Sequence, residues 1–243
     1  MIINKVTLYS HVLDEMRDFY VGELGFELHS LTDDGFAIKV GDSVLEMKSY
    51  HLQDKPFYHF AINIPTNLFT SAKKWAKSKV ELMKEDGVDE VHFSLSDAHA
   101  FYFLDPSGNI VEFISRYAVS PESQSKTFCA RESLCISEIN LTTDEVGDIG
   151  NTLMGLGLPV RKDESINEGG LNFIGQHEEG SFLLLGPRNR RWFFSDRVSE
   201  SFPLSVVIDD QLTISLDDEG KMKAESGVTG QGGRSLYVRK DLE

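Results

Sequence analysis

The chain has 243 residues, 39 of them acidic against 24 basic, for a net charge of −15 and a pI near 4.9. Such a surface repels phosphate backbones and anionic headgroups, which argues against nucleic acid and membrane surfaces as partners. With 40% hydrophobic and 26% charged residues the composition is that of a globular protein of one large or two modest domains.

The two cysteines, Cys129 and Cys135, fit neither a disulfide framework nor a common zinc spacing, so a reducing compartment is expected. No apolar run approaches the roughly 20 residues that span a bilayer. The N-terminus reads as a strand rather than a signal peptide. A cytoplasmic location follows as the expectation.

Residues 2–9, IINKVTLY, alternate as a strand, with Val6 and Leu8 on one face and Lys5, Thr7 and Tyr9 on the other. The stretch 14–26, DEMRDFYVGELGF, reads as an amphipathic helix: Met16, Phe19, Tyr20 and Leu24 fall near helical spacing, and Gly25 is a C-terminal stop. Three short strands follow, FELHSL, GFAIKV and SVLEMKSY, separated by Asp33-Asp34-Gly35 and Gly41-Asp42 turns. The order β-α-β-β-β then repeats. FYHFAINI is a strand, LFTSAKKWAKS a helix, and EVHFSL, HAFYFLD and NIVEFIS are strands, the last after a Pro106-Ser107-Gly108-Asn109 turn.

Residues 119–131 lack periodicity and read as a linker. A third unit begins with the strand LCISEINL, continues with a helix over 144–157, and adds the strands GLNFIGQ and SFLLLGP. FPLSVVI opens a degenerate fourth unit, in which DDQLTISLDDEGKM reads as a hairpin rather than a helix. The Gly-rich GVTGQGGRS has no Walker spacing and reads as a flexible loop. The units recur about every 55–60 residues, the mark of duplicated supersecondary modules. The expected division is two βαβββ modules over 1–118, a linker over 119–131, and a third module plus a degenerate fourth over 132–243.

Tandem βαβββ modules, a helix carrying FYVGELGFEL and a closing FLDPSGNIVEF resemble the vicinal oxygen chelate superfamily, which includes glyoxalase I, extradiol dioxygenases and bleomycin-binding proteins. The resemblance covers residues 1–117 most clearly and 132–190 in lesser degree. It implies an α+β fold in which paired, curled mixed sheets form a cup with helices on the outer faces. It also implies metal ligands on the first and last strands of each module. Those positions here are Lys5 and Glu46 in the first module and His59 and Glu112 in the second. The third offers Glu138 on its first strand and an apolar FLLLG on its last, an incomplete pattern.

Strand alternation is consistent with these positions. Tyr58, Phe60, Ile62 and Ile64 form one face of their strand, and His59, Ala61 and Asn63 the other. Glu112 lies opposite Val111 and Phe113, and Glu46 alternates with Leu45 and Met47. A buried carboxylate is costly unless it is paired or binds a cation. Two arrangements meet that need. In one, His59, Glu46 and Glu112 hold a divalent ion (Zn, Mn, Fe, Ni or Co), with Glu112 or Glu46 moving a proton and Lys5 orienting a carboxylate or an anionic substrate. In the other, Lys5 pairs with Glu46, His59 bonds Glu112, and no metal binds.

The first arrangement implies lyase, isomerase or dioxygenase chemistry on a small molecule with adjacent oxygens. The second implies a sequestering protein of the bleomycin-resistance type or a non-catalytic interaction module. A homo-oligomer fits either. The run GPRNRRWFF stands out as an arginine cluster in an acidic chain, a solvated loop by default and otherwise an anion site or a contact between the two halves.

Overall fold

Two mixed sheets carry the molecule. The computed structural model describes residues 1–51 and 54–227, and the backbone of 235–236. The first unit consists of β1 (Ile3–Ser10), α1 (Leu13–Arg17) running into a π-helical turn (Asp18–Glu23), β2 (Glu27–Thr32), β3 (Gly35–Val40) and β4 (Ser43–Ser49). The second consists of β5 (His59–Asn63), a 3-10 turn (Thr66–Leu68), α2 (Phe69–Lys77), β6 (Val91–Phe93), β7 (Ala98–Leu104) and β8 (Ile110–Arg116). The third has β9 (Cys135–Thr142), α3 (Val146–Gly155), β10 (Asn172–Ile174) and β11 (Phe182–Gly186). The last has β12 (Leu204–Ile208), β13 (Leu212–Leu216), β14 (Met222–Ser226) and β15 (Ser235–Leu236). The Gly-rich stretch lies, apart from its two end residues, outside the described residues.

The units pair in a specific way. The first joins the last through antiparallel β1–β12, giving the order β15-β14-β13-β12-β1-β4-β3-β2. The second joins the third through antiparallel β5–β9, giving β10-β11-β9-β5-β8-β7-β6. Within the first three units the first and last strands run parallel, β1 with β4, β5 with β8 and β9 with β11. This is the paired-sheet cup architecture that the family resemblance implies.

Alternation decides what each sheet buries. Val6, Leu8, Phe60, Ile62, Val111 and Phe113 are fully buried in the core, each set on one face of its strand. On the other face of the second sheet, His59, Ile110, Glu112 and Ile114 line a cavity. The helical segment after β1 is shorter than its periodicity suggested: five α-helical residues pass into the π turn, and Gly25 ends it at φ +79. That turn points Tyr20 inward, where its hydroxyl donates to Asp105 Oδ2 at 2.8 Å.

Asp105 organises the turn before β8. It accepts from the backbone N–H of Ser107 at 3.0 Å and of Asn109 at 2.9 Å, and from Asn109 Nδ2 at 2.7 Å. Asn109 Oδ1 in turn accepts from Tyr58 N at 2.8 Å, so the turn fixes the starts of β5 and β8 together. Burial pushes the Asp105 carboxyl up to about 6, while these hydrogen bonds pull the other way and hold it in place. Among the described residues no helix is long and apolar enough to cross a membrane.

Candidate metal centre

Register places the site. Ala61 on β5 lies beside Glu112 on β8 and beside Glu138 on β9. Glu112 continues to Tyr102 on β7, and Glu138 to Phe182 on β11. Five strands therefore present one row, Phe182–Glu138–Ala61–Glu112–Tyr102, on one face of the sheet. The methyl of Ala61 separates two carboxylates. His59, two residues before Ala61 on β5, projects from the same face.

Nε2 of His59 lies 3.4 Å from Glu112 Oε2 and 4.0 Å from Glu138 Oε2. All three side chains are buried, and one ligand atom of each lies within 4.8 Å of the others. Nδ1 of His59 is 3.0 Å from the carbonyl of Ile110. A carbonyl only accepts, so Nδ1 carries the proton and donates it there. In the neutral ring Nε2 then turns its lone pair toward two carboxylates. Acceptors facing acceptors in a buried site require a cation or a proton between them.

Among the described residues, one cation bonds the cluster directly. Arg116, on the same face of β8 as Glu112, donates Nη2 to Glu138 Oε1 and Nη1 to Ser137 Oγ at 2.9 Å and Asn63 Oδ1 at 3.3 Å. With both carboxylates ionised, this one bonded guanidinium leaves His59, Glu112, Glu138 and Arg116 together a unit negative. Burial, reinforced by the charge of Glu112, pushes the Glu138 carboxyl up to about 7 despite Arg116 and His59. Burial and the two carboxylates also hold the Tyr102 hydroxyl well above its ordinary range, so it keeps its proton. Because Arg116 takes Oε1, Oε2 of Glu138 stays turned to the cluster. An imidazole nitrogen with an orienting partner and two carboxylate oxygens form a donor set that suits a divalent ion.

A cavity of about 290 Å³ opens over the cluster. Its roof is the segment between β11 and β12. Arg191 Nη2 of that segment holds both carboxylate oxygens of Glu85, at 2.9 and 2.8 Å, and Phe194 N donates to Glu85 at 3.0 Å. This clamp sets Trp192 with its ring centroid 4.9 Å from that of His59, and stacks Phe194 on Tyr102 at 4.8 Å. The arginine-rich run read in the sequence is thus a contact between the second unit and the chain that follows the third.

Of the residues marked from sequence, the structure brings His59 and Glu112 together and places Lys5 and Glu46 elsewhere. Lys5 Nζ lies 3.0 Å from Glu46 Oε1 on the first sheet, and neither residue lines the cavity. The carboxylate grouped with His59 and Glu112 is Glu138 rather than Glu46, because β9 and not β4 lies beside β5. Arg116 and Tyr102 passed unmarked as cup residues. For Arg116 the signal was present: Glu112, Ile114 and Arg116 share one face of β8 by simple alternation.

Comparison with known proteins returns matches to part of the chain. A family described as toxoflavin-degrading enzyme matches residues 136–190, a stretch that holds Glu138 but neither His59 nor Glu112. No curated protein matches. Solved structures similar to this chain include glyoxalase/bleomycin resistance/dioxygenase proteins and integron cassette proteins. A glyoxalase/bleomycin resistance protein/dioxygenase from Alicyclobacillus acidocaldarius is 21% identical over 47% of this chain and 91% of its own, with a TM-score of 0.35. Lactoylglutathione lyase from Agrobacterium tumefaciens is 18% identical over 46% and 92%, with a TM-score of 0.37. An integron cassette protein from the mobile metagenome of a Halifax Harbour sewage outfall is 22% identical over 46% and 97%, with a TM-score of 0.41.

Proposed function

We propose that the chain is an enzyme of the glyoxalase/dioxygenase-like kind that holds a divalent metal ion through His59, Glu112 and Glu138 and acts on a small molecule with adjacent oxygens. The observation that carries this reading is the His59 ring. Its Nδ1 proton is committed to Ile110, which leaves Nε2 and two buried carboxylate oxygens around one point with a net negative charge. A bound ion would supply Lewis acidity to a substrate oxygen.

The chain's own groups have separate tasks. Arg116 fixes the Glu138 carboxylate through Oε1, and Tyr102 keeps its proton and donates it to the Glu112 carboxylate, which holds that group in place. Glu112 sits between Tyr102 and His59 and is the base closest to a substrate bound beneath Trp192. The aromatic roof keeps bulk water from the cluster. The toxoflavin-degrading family that matches the third unit, with Glu138 inside the match, supports breakdown of a small molecule as the activity. A second reading, ligand sequestration without metal, draws on the Arg116–Glu138 pair, which supplies part of the counter-charge unaided.

Metal analysis separates the two. Protein purified without chelator, or loaded with Mn²⁺ or Zn²⁺, is expected to carry about one equivalent, lost in Glu138→Gln and Glu112→Gln and kept in Glu46→Gln. Glu138 is raised to about 7, so metal uptake near neutrality displaces its proton; affinity should rise with pH through about 7 and level off above it. No metal at any loading, from protein with an intact fold, overturns the enzyme reading in favour of sequestration.

A further inference from the structure

Three arginines, Arg116, Arg161 and Arg190, line the cavity of a protein whose net charge is −15. Arg116 is paired with Glu138. Arg161 and Arg190 have no carboxylate partner among the described residues, and both keep buried N–H groups with nothing to bond: Nε of Arg161, and Nε and Nη2 of Arg190. The Arg190 side chain bonds only through Nη1, which donates to the Arg191 carbonyl at 3.1 Å. A buried donor without an acceptor is costly, and a guanidinium more so than most. In so acidic a chain, two cavity arginines without a paired carboxylate among the described residues point to an acceptor from outside.

Both guanidiniums lie against aromatic rings of the cavity. Arg161 stacks over Phe173, its Cζ 4.0 Å from the ring centroid, and lies 5.9 Å from the Phe182 ring, as does Arg116. Arg190 stacks 4.0 Å over Trp192, whose ring is 4.9 Å from that of His59. Arg161 thus lies near Phe182, the strand neighbour of Glu138, and Arg190 against Trp192, the ring beside His59. Burial lowers the Arg190 guanidinium from its ordinary value, as expected of a cation lacking its anion.

We propose that Arg161 and Arg190 form an oxyanion subsite that receives the carboxylate of a flat aromatic acid, with the acid's body between the aromatic walls and its other oxygens toward His59, Glu112 and Glu138. The proposal rests on the reading that this cavity binds a small molecule, and it is independent of whether a metal binds. An aromatic body suits the space because Tyr102, Phe173, Phe182 and Trp192 line its volume of about 290 Å³. Two guanidiniums pre-oriented by stacking bind a carboxylate through paired N–H donors, which an amide of the same shape cannot match.

The test uses 2-naphthoate and its neutral isostere 2-naphthamide. Each is titrated calorimetrically into the full chain, once after chelator treatment and once after loading with Mn²⁺, and Trp192 fluorescence provides a second readout. Naphthoate is expected to bind at least tenfold more tightly than naphthamide in both preparations. In Arg161→Gln/Arg190→Gln the preference should fall to within about twofold, with naphthamide affinity unchanged as the sign of an intact cavity. Should the double variant misfold, each single Gln variant should lose several-fold of the preference, and the corresponding Lys variants should keep most of it. Equal affinities, a preference that survives the double substitution, or no naphthoate binding at millimolar concentration each overturn the proposal. So does a preference seen only with Mn²⁺, which would place the carboxylate on the metal. An intact preference in protein that never binds metal would sink the metal-enzyme reading and leave this subsite standing.

Discussion

The two sheets repeat one arrangement with different residues, and the difference shows what opens a cup. In the first sheet the row through the parallel first and last strands reads Ser205–Thr7–Glu46–Ala37. In the second it reads Glu138–Ala61–Glu112–Tyr102. Lys5 and His59 stand at the same offset, two residues before Thr7 and Ala61. The first row has a single carboxylate, already covered: Thr7 Oγ1 donates to Glu46 at 2.8 Å, and Lys5 lies at 3.0 Å. The second row has two carboxylates, a methyl between them, and an imidazole with a free lone pair in place of the ammonium. One sheet neutralises its own charge, while the other retains a deficit that an ion can fill.

Exchanging the deciding residue should have the largest effect. His59→Lys puts an ammonium where Lys5 stands in the first sheet. With Arg116 the cluster then holds two cations and two anions, and bound metal should fall from one equivalent to background. Global stability should change little, because the new charge has Glu112 to pair with. Elemental analysis and thermal unfolding read the two parts separately. Metal retained in this variant would mean that the imidazole is not what distinguishes the sheets.

The turns before the two last strands differ in a second way. Gly41 has φ +56, and a Cβ there would lie 2.0 Å from the carbonyl oxygen of Leu134. Gly108 has φ +82, and a Cβ there would meet the guanidinium end of Arg197 at 2.6 Å. Alanine costs about 1–2 kcal/mol at either φ. At Gly41 the obstacle is backbone, which cannot swing away, so Gly41→Ala should cost about 3 kcal/mol or more. Gly108→Ala should cost about 1–2 kcal/mol, because Arg197 can move. Urea midpoints at constant m-value test the order. Equal losses would show that the first turn adjusts as freely as the second.

A smaller change probes the residue between the carboxylates. Ala61→Thr brings to the second row the hydroxyl that Thr7 supplies to the first. It should donate to Glu112, satisfying part of the charge that otherwise attracts the ion. One hydrogen bond to a charged group corresponds to about a tenfold loss in metal affinity, roughly 1.4 kcal/mol. The reverse change, Thr7→Ala, should leave metal affinity as it was. A competitive titration with a fluorescent chelator resolves a tenfold shift.

Much of this was readable from strand alternation. Period-two patterning placed His59 opposite Phe60 and Glu112 opposite Val111, and the structure keeps those faces. What alternation cannot supply is which strands become neighbours. Glu46 and Glu138 are both acidic and both face a cup, and only the pairing of β5 with β9 decides between them. That pairing spans some 75 residues of sequence and depends on docking of whole units, on which local propensity is silent. Arg116 was within reach of the same alternation argument. Arg190 lies in the GPRNRRWFF run, which the sequence offers as an anion site or a contact; that Arg161 shares its cavity was not legible, since both come from irregular segments that meet only in three dimensions.

The smallest effect is expected where the sequence placed catalytic duties on Lys5 and Glu46. Their side chains are 39% and 21% exposed, and an ion pair so open to water contributes at most about 1 kcal/mol. Burial would raise the Glu46 carboxyl, but its bonds to Lys5 and Thr7 outweigh that and hold it below its ordinary value. The sign follows: a lowered folded-state value stabilises above the unfolded carboxylate range and is lost as pH falls through it. Lys5→Met should therefore destabilise slightly at pH 7, lose that effect toward pH 4, and leave metal content untouched. Lys5 faces a carboxylate that the row beside it has already satisfied, so it has no deficit to transmit to the other sheet. Loss of metal in Lys5→Met would contradict the separation of the two cups, and would return Lys5 to the role of orienting group.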